Sequence, residues 1–104
     1  METLKGLKRT HKCATLSKEN IGQEVVLMGW ADQVRNLGGL IFINLRDISG
    51  IIQLYFNTDN KDLYEKAATV RGEYVLAAKG IVRMRESINP NMPTGEIEIE
   101  VNEL

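Results

Sequence analysis

An amide and an aromatic ring alternate along one short apolar run of this sequence. In the segment 51–56, Gln53 and Tyr55 stand two residues apart, and residues two apart in a β-strand point to the same face. The alternate set is wholly apolar and must face a core: Ile52, Leu54 and Phe56. We therefore predict that Gln53 and Tyr55 lie on the outer, solvent-facing side, where a ring stacks on a nucleobase and an amide reads a neighbouring base edge. The plainer interpretation is an aromatic side chain packed under a loop beside a solvated glutamine.

Two arginines share a strand face further along the chain. Arg83 and Arg85 are separated by Met84, and a spacing of ~7 Å between alternate side chains matches two successive phosphates, or one phosphate and one base. Charged side chains also protect edge strands from aggregation, so this pair alone is not specific. We place Arg35 in a loop between the first two strands, as a further candidate for a phosphate or base contact or simply as an exposed cation.

Three carboxylates alternate along the last apolar run, at Glu96, Glu98 and Glu100. Together they repel a phosphate backbone, so most of them are expected to lie off a nucleic-acid surface. A single carboxylate beside the site accepts hydrogen bonds from the ring N–H and amino group of guanine, and it excludes adenine there.

The sequence contains no nucleophile with a matching base and orienting group. Its single histidine, His11, lies in a basic N-terminal stretch, where an ordinary surface histidine is expected. His11 and Cys13 are too few for a zinc site, and Gly38-Gly39 indicates a hairpin turn, not a phosphate-binding loop. We expect neither catalysis nor a metal site from these residues.

Five β-rich runs and one helical run must position these side chains. The predicted strands lie at 25–31, 40–45, 51–56, 74–85 and 96–101. Leu63, Ala67 and Val70 recur at i, i+4 and i+7, which predicts a short amphipathic helix between the third and fourth strands. A single helical turn is predicted over 16–21, with Ser17 as its N-cap.

The order of these elements predicts the fold. Three strands joined by short glycine-containing turns form an antiparallel meander. Gly29 and Gly80, inside the first and fourth strands, permit bends that let a small sheet close. We predict an all-β fold with one short helix, an OB-fold: a five-stranded Greek-key barrel with the helix between strands 3 and 4. The main alternative is an SH3-like barrel, which usually lacks that helix.

Length and charge limit the function classes. The chain has 104 residues, 43% of them hydrophobic, which suits one compact domain. Its 13 basic and 14 acidic residues give a net charge of -1, so any basic site must be local. A single cysteine fits a reducing, cytoplasmic compartment, and neither a secretory signal nor a membrane span is visible. We expect one domain over 1–104, with 1–12 a flexible basic arm or an edge segment.

Six segments of the sequence resemble a known family. They read GWA at 29–31, RNLGGLIFINLRD at 35–47, GIIQLYF at 50–56, GEYV at 72–75, GIVR at 80–83 and TGEIE at 94–98. Together they resemble the N-terminal anticodon-binding domain of bacterial-type, class IIb aspartyl-tRNA synthetases. The LGGLIFI and TGEIE segments favour the aspartyl over the asparaginyl or lysyl enzymes.

The resemblance implies roles for particular residues. Tyr55 matches the family aromatic that stacks on the central anticodon base, a uracil for aspartate, and Gln53 matches the residue that hydrogen-bonds that uracil. Glu98 matches the acidic residue that reads the first, guanine-type base. Contacts to the remaining anticodon bases and backbone are matched by Arg35, Arg83, Arg85 and Asn89. Bacterial members usually carry a basic cluster before the Leu-Gly turn, of which only Arg35 remains here.

The resemblance also implies partners. The expected partner is the anticodon loop of tRNA-Asp, bound on behalf of an aspartate–tRNA ligase that uses ATP and Mg in a catalytic domain absent from these residues. We expect this chain alone to be a monomer without enzymatic activity or cofactor, and its parent to be a homodimer. The alternatives are a general single-strand binder, the anticodon domain of an asparaginyl- or lysyl-tRNA synthetase, and a protein-interaction barrel.

Overall fold

Alternating apolar residues and glycine turns produce five strands that curl into a barrel. The structure is a computed structural model that describes residues 10–72, 74–85 and 95–104. Its strands and helix are β1 Glu24–Asn36, β2 Leu40–Asp47, β3 Gly50–Asn57, α1 Lys61–Ala68, β4 Val75–Met84 and β5 Ile97–Glu103. Two short 3-10 helices precede them, at Cys13–Thr15 and Lys18–Asn20. Ser17 caps the second, as predicted.

The strand order is that of an OB-fold. The barrel closes in the order β1-β2-β3-β5-β4, with β4 returning to pair with β1. Every pairing is antiparallel except that of β3 with β5, which is parallel. Helix α1 connects β3 to β4, so the predicted five-stranded Greek-key barrel with one short helix is confirmed.

The core forms from the inward set of each strand. In β3, Ile52, Leu54 and Phe56 are almost fully buried, as the alternation predicted. The apolar face of α1 covers the same cluster through Leu63 and Ala67. Asn60 begins the helix, because its side-chain oxygen accepts the backbone N–H of Leu63 at 3.1 Å.

Glycines at two positions allow strands to approach one another closely. A Cβ at Gly29 would collide with the carbonyl oxygen of Arg46, and one at Gly80 would collide with the carbonyl oxygen of Glu100. The ladder between β4 and β5 is irregular at Lys79/Gly80. Both glycines therefore lie where strands coil tightly, in agreement with the predicted bends.

Strand β1 is longer than predicted, and this corrects the placement of Arg35. We placed Arg35 in a loop, but β1 continues through it to Asn36. The first half of β1 pairs with β4 and the second half with β2. A register shift between Ala31 and Gln33 interrupts the alternation of inward and outward residues, so the sequence pattern ends before the strand does.

The segment before β1 is tied to the barrel by a buried carboxylate. Cys13 is fully buried, and its backbone N–H donates to Asp47 Oδ2 at 2.8 Å. Asp47 also accepts from the backbone N–H of Ser49 at 2.7 Å and of Gly50 at 3.2 Å. Burial by itself raises the pKa of Asp47, but the hydrogen bonds from Ser49 and Cys13 outweigh it and lower that pKa to about 2.

Part of the predicted N-terminal arm pairs with the barrel. Thr10 donates its backbone N–H to the carbonyl of Val26 at 2.9 Å, and Val26 N–H donates to Thr10 Oγ1 at 2.9 Å. Residues 1–9 lie outside the described part of the chain. Among the described residues, no helix has the length and apolar character required to cross a membrane.

Candidate nucleic-acid interface

Two rows of outward side chains cross the barrel from β1 to β4. The first, which we call the Gln53 row, consists of Gln33, Asn44, Gln53, Glu98 and Arg83. The second, the Tyr55 row, consists of Arg35, Phe42, Tyr55, Glu100 and Ile81. Because strand register sets these neighbours, five of the seven predicted site residues fall within two adjacent rows.

Gln53 lies on the predicted face but is not exposed. It is 3% accessible, so the prediction that it faces solvent is wrong. Its Nε2 donates to Glu98 Oε1 at 2.8 Å, while Arg35 Nη2 donates to its Oε1 at 3.1 Å. The long side chains of neighbouring strands cover the amide and fix its orientation, an effect that alternation along one strand does not reveal.

Glu98 is the centre of the polar contacts. It is 3% accessible, and its second oxygen, Oε2, receives both Nε and Nη2 of Arg83 at 2.6 Å. Gln53 occupies the other oxygen. Both oxygens of this buried carboxylate are hydrogen-bonded, and a cation is in contact with it, so its charge is compensated. Proteins retain a buried charge under this condition.

Arg83 is held from two sides and lies over the aromatic ring. Its Nη1 contacts Glu100 Oε2 at 2.7 Å, opposite the contacts to Glu98. Its Cζ lies 3.9 Å from the centroid of the Tyr55 ring, a cation–π contact. Burial lowers the pKa of the Arg83 guanidinium, but the hydrogen bond and charge of Glu98, together with Tyr55 and Glu100, outweigh this and raise the pKa above its ordinary value.

The Tyr55 row contains a second aromatic residue that sequence reasoning missed. Phe42 packs against Tyr55 with ring centroids 5.6 Å apart and planes tilted by 57°, and the Arg35 Cζ lies 5.1 Å from the Phe42 centroid. Each ring therefore has a guanidinium beside it. The available signal was parity in β2, since Ile41 and Ile43 face the core and Phe42 must face outward.

Arg85 lies just beyond β4 and shares its surroundings with Arg35. Its backbone N–H donates to the carbonyl of Glu96 at 3.0 Å. Burial lowers the pKa of Arg85, the negative charge of Glu98 opposes this in part, and the positive charge of Arg35 adds a smaller lowering. Among the residues of this face that the structure describes, three arginines against the carboxylates of Glu98 and Glu100 leave a small excess of positive charge. The remaining predicted residue, Asn89, lies outside the described residues.

An open groove continues the face past Tyr55. Its volume is about 210 Å³, and it lies between the ends of β3 and β5 and the start of α1. Tyr55 and Glu100 form one wall, and the amides of Asn57, Asn60 and Asn102 contribute donors and acceptors. The groove was not predicted, because three elements distant in sequence build it.

A closed five-stranded barrel of this order, with one helix between its third and fourth strands, is an OB-fold. The chain belongs to the family described as OB-fold nucleic acid binding domain, tRNA anti-codon, whose sequence model matches residues 25–104. The class predicted from the sequence is thereby confirmed.

Curated relatives are ligases of tRNA. The chain is 50% identical over 105 residues to the aspartate–tRNA ligase of Ruminiclostridium cellulolyticum, covering 99% of this chain and 18% of that protein. It is 52% identical over 100 residues to that of Clostridium tetani, with coverages of 95% and 17%. It is also 50% identical over 106 residues to the aspartate–tRNA(Asp/Asn) ligase of Caldanaerobacter subterraneus subsp. tengcongensis, with coverages of 99% and 18%. The chain thus spans less than a fifth of the length of these relatives.

Solved structures share the barrel. The asparaginyl-tRNA synthetase of Pyrococcus horikoshii complexed with asparaginyl-adenylate matches with a TM-score of 0.77 and 28% identity, covering 91% of this chain and 21% of that one. An OBody bound to hen egg-white lysozyme matches with a TM-score of 0.82 and 27% identity, covering 93% and 91%. An aspartyl tRNA synthetase from Entamoeba histolytica, at 22% identity and a TM-score of 0.83, covering 95% and 21%, agrees in fold.

Proposed function

We propose that this chain is the anticodon-binding module of an aspartate–tRNA ligase and that its outer face binds the anticodon loop of tRNA-Asp. The observation that carries the proposal is the adjacency of the two rows. A buried, ionisable acceptor, Glu98, lies next to a pair of outward aromatic rings, Phe42 and Tyr55. Stacking rings supply affinity for unpaired bases, and the carboxylate supplies selection by hydrogen bonding.

The rings account for binding energy. A base stacked on Tyr55 contributes about 1–3 kcal/mol, and Phe42 supports the ring from its flank. Arg35 and Arg85 add positive charge near the same face, which attracts the RNA backbone. This positive charge is small, so the module depends on the shape of a splayed loop more than on its charge.

The carboxylate accounts for base choice. The Glu98 oxygens accept hydrogen bonds, as the ring N–H and amino group of a guanine require. In the free protein they are already occupied by Gln53 and Arg83, so a base that contacts them exchanges one satisfied set of hydrogen bonds for another. Adenine does not present the same pair of donors, and exchange with adenine leaves a buried charge poorly compensated.

On this proposal, aminoacylation with ATP and Mg takes place in the catalytic domain of the parent ligase. That parent ligase is a cytoplasmic homodimer. This module adds specificity through binding alone. Relatives at equal identity are named for Asp and for Asp/Asn tRNA, and the anticodons of these two tRNAs differ only at the third base. Of these two anticodons, that of tRNA-Asp is favoured, because the site residues resemble those of aspartyl-tRNA synthetases.

The proposal is tested with the purified domain and synthetic anticodon stem-loops. A stem-loop with the anticodon GUC should bind roughly tenfold more tightly than one whose central uracil is replaced by adenine, and a GUU loop measures the preference for aspartate over asparagine. Tyr55→Ala should weaken binding roughly tenfold or more. Tyr74→Ala, which removes an exposed tyrosine outside both rows, is the matched control and should leave affinity unchanged.

Equal affinity for all loops, with steep salt dependence, would indicate a general single-strand binder instead. If the folded wild-type domain binds none of the stem-loops, and the Tyr55→Ala and Tyr74→Ala variants behave in the same way, a protein-interaction barrel would be favoured. Either result contradicts the proposed function.

A further inference from the structure

The ring that the proposed function assigns to a nucleobase is already covered by a side chain of the protein itself. The guanidinium of Arg83 lies 3.9 Å from the Tyr55 ring centroid, and stacked groups in van der Waals contact are separated by about 3.5–4.0 Å. A guanidinium is planar and stacks on aromatic faces much as a base does. Arg83 therefore occupies the position over that ring face that a stacked base requires.

Two carboxylates hold Arg83 there, and they differ in exposure. Glu98, with a side chain 3% accessible, receives Nε and Nη2 at 2.6 Å. Glu100, with a side chain 50% accessible, receives Nη1 at 2.7 Å. The fork of the guanidinium is thus engaged on both sides, and one of the two contacts faces water.

We propose that Glu98 and Glu100 hold Arg83 over the face of Tyr55 on which a base stacks, and that Glu100 determines how much free energy is needed to displace Arg83. The inference rests on the proposed function. A base reaches that ring face only after Arg83 moves, so the contacts of each ligand must offset the free energy of the lost Arg83 contacts. A strand that offers a single stacking base offsets little of this loss, whereas a loop that also contacts Glu98 offsets more. Glu100, which carries no base-reading role above, is then a specificity-determining residue.

The exposed position of Glu100 makes it the half of this clamp that is open to substitution. Glu100→Gln retains the shape and one acceptor oxygen but removes the charge that holds Nη1. Because the carboxylate is half exposed, its loss leaves no buried charge uncompensated, and the fold is retained. Removal of Glu98, in contrast, alters a buried charge and the contact with Gln53 at once.

A matched control lies on the same strand. Glu103 has a side chain 51% accessible and faces Lys79 at 3.9 Å, away from Arg83. Glu103→Gln therefore removes the same charge with the same exposure without changing the contacts of Tyr55. Circular dichroism and a thermal melt confirm that both variants are folded.

The experiment measures the affinity of wild type, Glu100→Gln and Glu103→Gln for two stem-loops. One carries the central anticodon uracil, and the other carries an abasic sugar at that position. Binding of the uracil loop by the wild type tests the proposed function separately. If displacement of Arg83 limits stacking, Glu100→Gln binds the uracil loop roughly two- to fivefold more tightly than Glu103→Gln does, the range expected for one half-exposed ion pair. On the abasic loop, that advantage disappears.

Two results overturn the inference while the proposed function stands. An equal gain of Glu100→Gln on both loops shows that only the charge near the RNA matters. Weaker binding of the uracil loop by Glu100→Gln shows that a fixed Arg83 is itself a layer of the stack, with the base on its far side.

Discussion

Two buried carboxylates of this barrel are held in opposite ways. Asp47, at the turn between β2 and β3, is surrounded by the backbone N–H groups of Cys13, Ser49 and Gly50 and by the Ser49 hydroxyl. Glu98, on the outer face, is surrounded by the ends of long side chains, those of Gln53 and Arg83. Backbone donors move only if the fold moves, whereas side-chain donors exchange partners by rotating about single bonds. A carboxylate of the first kind stabilises structure, and one of the second kind suits a site that must accept a ligand.

The largest effect should come from removing the carboxylate of the first kind. Asp47→Ala leaves the N–H groups of Cys13, Ser49 and Gly50 without their acceptor. The hydrogen bond of Cys13 is buried and the other two are part-buried, and a buried unsatisfied donor costs about 1–3 kcal/mol. We expect a loss of about 3 kcal/mol in the free energy of unfolding, measured by urea denaturation. Affinity for RNA, corrected for the folded fraction, should stay at the wild-type value. A change in base preference would contradict the separation of the two carboxylates.

The same carboxylate should make stability depend on acid. Its pKa falls from 3.8 to about 2 on folding, so its contribution is complete above about pH 4 and is lost as the pH drops towards 2. The corresponding free energy is about 2 kcal/mol. Unfolding curves measured at a series of pH values check this, with Asp47→Asn as the comparison, because that variant should lack this component of the acid dependence. Parallel curves for both proteins would refute it.

Replacing the second carboxylate should affect recognition more than stability. Glu98→Gln keeps the volume and a hydrogen-bonding end, and Arg83 retains its contact with Glu100. The preference for guanine over adenine at the first anticodon position should fall roughly tenfold, as measured with stem-loops that differ at that base. The unfolding free energy should change by less than it does in Asp47→Ala. A loss of stability with an unaltered base preference would assign Glu98 to the same class as Asp47.

An exposed carboxylate provides the lower limit of the comparison. Asp32 contacts Arg46 at 3.1 Å with both side chains about 40% accessible, and such pairs contribute about 0–1 kcal/mol. Asp32→Asn should change the unfolding free energy by less than about 0.5 kcal/mol and leave RNA affinity at its wild-type value. A larger destabilisation would show that exposure is a poor guide to the value of these contacts.

What the sequence predicted and what it missed follow from the range of the interactions. Alternation within β3 placed Ile52, Leu54 and Phe56 inside, because side-chain direction along a strand is a local property. The burial of Gln53 was missed, because the side chains that cover it come from β1, β4 and β5. The family resemblance pointed to Glu98, whereas charge alternation alone did not distinguish it from its neighbours.

The contacts of Asp47 were beyond local reasoning for the same reason. Its partner Cys13 is 34 residues away, and nothing in the spacing of either residue indicates that they meet. The roles of the site residues in reading bases stay predictions, to be tested with the stem-loops described above.

The parallel pairing of β3 with β5 determines at which stage of synthesis the outer face of the barrel is complete. Gln53 and Glu98, in contact across it, lie 45 residues apart in the chain, and every residue of α1 and β4 falls between them. A chain still emerging from the ribosome presents the aromatic and amide groups of β3 long before the carboxylates of β5 arrive opposite them. Contacts between such distant segments form only when the whole sheet is assembled. On the proposed function, anticodon discrimination therefore requires the finished barrel and is not available to a partial product of synthesis.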